Sequence, residues 1–106
     1  MFARLSDKEA LNNIINASKD RPVVVFKHSN SCPLSFTAYR EMETIDDVNL
    51  LEIQTARDLS REVEIVTGVR HESPQVIILR EGKAVWNASH FNVTAGAVAE
   101  AVQANR

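Results

Sequence analysis

Two short uninterrupted apolar runs, Val23-Val24-Val25-Phe26 and Val76-Ile77-Ile78-Leu79, constrain this chain more than any other feature. Runs of four rich in branched side chains are apolar on both faces, which is how a buried central strand reads. Around them, apolar residues recur at helical spacing instead: Leu11, Ile14 and Ile15 before the first run, Ala38, Met42 and Ile45 after it, then Leu59, Val63 and Val66, and last Val98, Ala101 and Val102. Strands that alternate with helices and close on a hairpin give the order αβαβαββα, an α/β domain whose sheet is covered on both faces.

Local signals bound these elements. Ser6 with Glu9 three residues later reads as a capping box for the first helix, and Asp20-Arg21-Pro22 ends it. Pro33 suits the first position of a second helix, which Cys32 would cap. Val48 to Ile53 reads as a strand of mixed polarity, and Arg57 to Thr67 as a helix stopped by Gly68 in a left-handed cap. Glu81-Gly82 is a tight-turn signal between the second apolar run and Ala84-Val85-Trp86, and Asn92 or Thr94 caps the closing helix.

At 106 residues the chain is read as one domain, 1–106, large enough to hold a core without staples. Its single cysteine forms no internal disulfide, which points to a reducing, cytoplasmic setting. The balance of 12 basic against 14 acidic side chains, with no basic run, argues against nucleic acid as a partner. Arg4, Asp7, Lys8 and Glu9 break the amino-terminal apolar stretch, and no segment is long enough to cross a bilayer. The glycosylation-type triplets at Asn16, Asn87 and Asn92 are read as coincidence, since no export signal accompanies them.

Cys32 falls where a buried strand runs into a helix, at the strand end where α/β sheets bind ligands. At a helix N-cap, unpaired N–H groups and the macrodipole favour the thiolate over the thiol. A lone cysteine is more often a small buried hydrophobe, but Ser29, Asn30, Ser31 and Pro33 are loop chemistry and place this one near the surface. Ser35 stands where a C-x-x-C oxidoreductase carries its second cysteine. Its hydroxyl either donates to the sulfur or bonds its own helix start, and it closes no disulfide. Ser73-Pro74 opens the second apolar run, where a proline alone reads as trans punctuation.

The string His28-Ser29-x-x-Cys32-Pro33-x-Ser35, with Arg57-x-x-Ser60, His71-Glu72-Ser73-Pro74-Gln75, Trp86 and Ser89-His90, resembles the YtxJ-type monothiol bacilliredoxins over nearly the whole chain. It departs from the family's active-site string at Ser31 and Leu34, both conservative changes. The resemblance implies a thioredoxin-like fold with a four-stranded mixed sheet, helices on both faces, and a cis Ser73-Pro74 bond beside the sulfur. His28 to Cys32, Thr55 to Arg57, Ser73-Pro74 and Ser89-His90 would then converge on one shallow pocket.

The expected function is that of a monothiol thiol-disulfide oxidoreductase in a redox stress response, which removes bacillithiol from mixed disulfides on cytosolic proteins through Cys32. Bacillithiol is the co-substrate implied, with no bound cofactor and no metal; the partners are bacillithiolated client proteins. Ser31, Pro33, Ser35 and His28 support the site, with His28 tuning Cys32 or, as the preferred reading, capping its own strand. Ser73 and Pro74 receive the incoming thiol. Cations at the rim, Arg57 first and then His90, His71 and Lys27, would meet bacillithiol's carboxylates. Two alternatives belong to other classes: a redox-inert interaction module, and an iron–sulfur carrier like the monothiol glutaredoxins, against which the stiff Pro33-Leu34 argues.

Overall fold

In a computed structural model describing residues 2–106, five strands and four helices alternate before a closing hairpin: β1 (Phe2–Arg4), α1 (Lys8–Ala17), β2 (Val23–His28), α2 (Pro33–Met42), β3 (Val48–Glu52), α3 (Arg57–Thr67), β4 (Gln75–Arg80), β5 (Lys83–Ser89) and α4 (Ala95–Ala104), with a 3₁₀ turn at His90–Asn92. The sheet runs β1-β3-β2-β4-β5. β3 is parallel to β1 and β2, whereas β4 is antiparallel to β2 and to β5.

The alternating faces of the central strands divide the core in two. Val24 and Phe26 of β2 with Val76 and Ile78 of β4 pack with Ala38, Met42, Val98 and Ala101 under α2 and α4. Val23 and Val25 with Ile77 and Leu79 pack with Leu11, Leu59 and Val63 under α1 and α3. This is why both runs are apolar throughout.

Three expectations are corrected. The sheet has five strands, because Phe2–Arg4 pairs in parallel with Val48–Leu50 and Leu5 N–H continues the pairing to the Leu50 carbonyl at 2.8 Å. A three-residue strand with two exposed positions carries no readable alternation, so its pairing with β3 has no local signal. The first helix is capped by Asp7, whose carboxylate accepts from Ala10 N–H at 2.8 Å, one residue after the Ser6 cap expected. The third is that β3 ends at Glu52, so Ile53 already belongs to the turn. Elsewhere the boundaries agree: Gly68 caps α3 at φ 70°, Glu81 and Gly82 turn the hairpin at φ 56° and 74°, and Thr94 caps α4 through Ala97 N–H.

The candidate thiol-exchange site

The β2–β4 ladder ends with Lys27 opposite Gln75, so the next residues on each strand, His28 and Pro74, open one edge of the sheet. From there Ser29 to Ser31 loop over to Cys32, which caps α2 in extended backbone at φ −111° and ψ 118°. Pro33 has no N–H, and Ser35 and Phe36 N–H groups go to the Cys32 carbonyl at 3.0 and 3.4 Å. Leu34 is therefore the first-turn residue whose N–H has no intrahelical acceptor beside the sulfur. The sulfur itself is half-buried and unpaired with any other cysteine.

Both flanks of Cys32 are braced. Ser35 is fully buried, and its hydroxyl accepts from Ser29 N–H at 2.9 Å and bonds His28 Nδ1 at 2.8 Å. Its hydrogen bonds thus go to the loop and the strand, not to the sulfur, which corrects the expected sulfur donor and its helix-start alternative together. His28 neither caps its strand with its ring nor donates to Cys32: the buried imidazole stacks edge-on against Phe36 and lies beside Phe26 and Tyr39. Burial holds its pKa below the usual value, against the opposing pull of Glu52 and Ser35. A neutral ring with Nδ1 accepting from the Ser35 hydroxyl satisfies both groups. On the other side, Gln54 accepts from Asn30 N–H at 3.1 Å and donates to the Ser29 and Ser31 hydroxyls at 2.9 and 3.2 Å. Sequence reasoning missed Gln54; the signal was available in the parallel pairing of β2 with β3, which sets the two strand ends side by side.

The Ser73-Pro74 peptide is cis, and the Pro74 carbonyl accepts from His90 N–H at 2.9 Å, with His90 at a φ of 55°. Ser73-Pro74 and Ser89-His90 therefore do meet. Ser73 Oγ is buried without a hydrogen-bond partner, a state that costs about 1–3 kcal/mol in a folded protein. Such an unpaired donor marks a place where a ligand group is missing or strain is stored.

The remaining candidates separate. Instead of one pocket there are two hollows at this edge. One, of about 400 Å³, is lined by Asn30, Ser31, Pro33, Phe36, Thr37 and Arg40; the other, of about 460 Å³, holds Arg57 with Ser6, Gln54 and Thr55. Arg57 lines the second hollow with Gln54, and Arg40, two turns along α2 from Pro33, lines the first with Ser31 and Pro33. Lys27 cannot be a rim cation, because it is fully buried. His71 is bonded through Nδ1 to the Ser60 hydroxyl at 3.3 Å, and burial and then the Lys27 charge lower its pKa, so it is neutral near pH 7. His90 is exposed beside Pro74.

The fold is that of the thioredoxins. A thioredoxin from Fasciola hepatica superposes with a TM-score of 0.77 at 14% identity, covering 98% of this chain and 99% of that one. Thioredoxin f from spinach chloroplast superposes at 0.74 and 24% identity, over 99% and 86%. A solved structure provisionally described as an oxidoreductase with a thioredoxin fold is 33% identical, with a TM-score of 0.84 over 94% of this chain and 92% of that one. The family model of the monothiol bacilliredoxin BrxC matches residues 3–98. A thioredoxin scaffold with one braced cysteine at a helix start and a serine two residues beyond the proline agrees with that match, and the chain belongs to the BrxC family of monothiol bacilliredoxins, a family of thiol oxidoreductases.

Proposed function

We propose that this protein strips bacillithiol from mixed disulfides on cytoplasmic client proteins, with Cys32 as the catalytic nucleophile. The observation that carries the reading is the locked serine in the resolving position: Ser35 is buried and committed to His28 and Ser29, so no second sulfur of this chain completes the exchange. The Cys32 thiolate attacks the bacillithiol sulfur of the client disulfide, and the client leaves as its thiolate. Cys32 then carries bacillithiol as a mixed disulfide. A second bacillithiol thiolate attacks the bacillithiol sulfur of that adduct, releasing oxidised bacillithiol and restoring Cys32. Sulfur atoms and electrons balance with bacillithiol as the sole reductant.

Pro33 fixes the start of α2, Ser31 and Gln54 shape the loop before it, and Ser73 with Pro74 lines the approach of the incoming disulfide. Of the cations, Arg40 is favoured for the small thiol's carboxylates because it shares a hollow with Ser31 and Pro33 on either side of the sulfur. Arg57 would act only from the second hollow, and His90 from beside Pro74.

The test is turnover of a bacillithiolated client with excess bacillithiol. Cys32→Ser is expected to abolish it. Arg40→Ala is expected to raise the KM for bacillithiol roughly tenfold while leaving that for the uncharged 2-mercaptoethanol unchanged, and Arg57→Ala to change neither. Activity retained in Cys32→Ser would refute the mechanism; a KM response confined to Arg57→Ala would move the carboxylate site to the second hollow.

A further inference from the structure

Lys27 is the least expected residue in the core. It lies on the central strand at the last rung of the β2–β4 ladder, between Phe26 and His28, fully buried, where an apolar side chain would carry no desolvation cost. Its Nζ reaches one acceptor, the Ser60 carbonyl at 3.5 Å, with the Glu64 carboxylate as the nearby opposite charge. Burial lowers its pKa to about 8 in spite of that carboxylate. Such an ion is poor material for stability, because well-packed apolar replacements of buried charges are often neutral or stabilising.

The groups around it hold one segment. Ser60, which takes the Lys27 ammonium on its carbonyl, bonds His71 through its hydroxyl. Glu64, one turn further along α3, accepts from His71 N–H at 2.9 Å. Gln75, paired with Lys27 across the ladder, donates to the Arg70 carbonyl at 2.9 Å and accepts from Glu72 N–H at 3.4 Å. Backbone groups of Arg70, His71 and Glu72 are thus each fixed by a side chain of this cluster. The next residue is Ser73, whose buried hydroxyl has no partner, followed by Pro74, held from the far side by His90.

We propose that Lys27 is a positioning residue of the exchange site: its buried ammonium, with Gln75 and the Ser60–Glu64 turn, clamps residues 70–72 so that Ser73 and Pro74 are held beside the Cys32 loop to receive the incoming disulfide. The inference rests on the thiol-exchange reading. It assigns a role to the His71-Glu72-Ser73-Pro74-Gln75 string beyond its proline: the histidine, the glutamate backbone and the glutamine form the outer jaw of the clamp, and Lys27 its anchor.

Lys27→Met keeps the aliphatic stem and removes the ammonium. The expected result is a folded protein at least as heat-stable as wild type, with a KM for the bacillithiolated client raised roughly tenfold, because a small misplacement of a binding edge costs that much or more. The rate of Cys32 alkylation by iodoacetamide should stay at the wild-type value. Amide hydrogen exchange at His71 and Glu72 should accelerate while that at Val25 and Ile77 does not. Wild-type KM together with wild-type exchange at 71 and 72 would overturn the clamp. If Lys27→Met fails to fold, Lys27→Leu, a shorter apolar side chain, decides in its place: a raised KM with faster exchange at 71 and 72 supports the clamp, and wild-type values of both overturn it. Wild-type protein without turnover would instead refute the exchange reading, and the exchange rates at 71 and 72 would still report on the clamp.

Discussion

Ser35 is one hydroxyl with two partners to satisfy, the part-buried Ser29 N–H and the buried His28 Nδ1. Ser35→Ala leaves both without a partner, and we expect a loss of about 1–3 kcal/mol in urea unfolding, with adduct formation at Cys32 retained. Lys27 and His28 both have folded pKa values below their unfolded ones, so the unfolded chain binds protons more readily and stability rises with pH through each window. For His28 stability is lost as pH falls below about 6.5. For Lys27 it is gained from about pH 8 toward the ordinary lysine value of 10.5. The titratable groups facing that ammonium are the Glu64 carboxylate and the His71 ring, with Glu72 beyond His71. Urea midpoints measured from pH 8 to 10 should climb in wild type and stay flat in Lys27→Met. At this scale the helix start at Cys32 and Pro33 was legible because its signals are local to the string; the cis Ser73-Pro74 bond was not, since a proline alone reads as trans and only the family resemblance implied otherwise. The burial of Lys27 was legible too, since alternation puts it on the face of Val23 and Val25, yet its charge argued for a rim position. The partners of Ser35 and Gln54 were not, because each reaches across a loop or a neighbouring strand.

The elements follow their local rules with one displaced cap. Asp7 rather than Ser6 starts α1, so Asp7→Ala should cost about 1 kcal/mol in thermal or urea unfolding and Ser6→Ala close to none. The reverse ranking would restore the Ser6-x-x-Glu9 box. Helices, the central strands and the hairpin were readable from periodicity, Gly68 and Glu81-Gly82. β1 was not: its pairing with β3 is made from forty-odd residues away in sequence, and three residues hold no pattern. The hairpin turn is tied to the far end of the molecule by Gly82 N–H donating to Ser18 Oγ and by Arg80 donating to the Ser18 and Lys19 carbonyls. Those anchors sit opposite the Cys32 edge, which leaves that edge to the loops that carry chemistry.

For the molecule as a whole, a sheet with a core on each face fixes β2 and β4 against one another, and the end of that ladder carries both His28, from which the Cys32 loop leaves, and Ser73-Pro74 with His90 bonded to it. Among the described residues, no helix is long and apolar enough to cross a membrane. The fold class and the family were legible because strand runs, helix stops and active-site strings are all short-range features. The split into two hollows was not, since it depends on how α2 and α3 start on either side of the β3 end. The central claim is that Cys32 itself takes the small thiol from a client. Its most direct measurement is a single turnover: reduced protein mixed with a bacillithiolated client, quenched with acid and read by intact mass. The expected result is a gain of one bacillithiol on Cys32 as the client loses one, with no gain in Cys32→Ser. A folded wild-type protein that leaves the client bacillithiolated and its own mass unchanged would contradict the account.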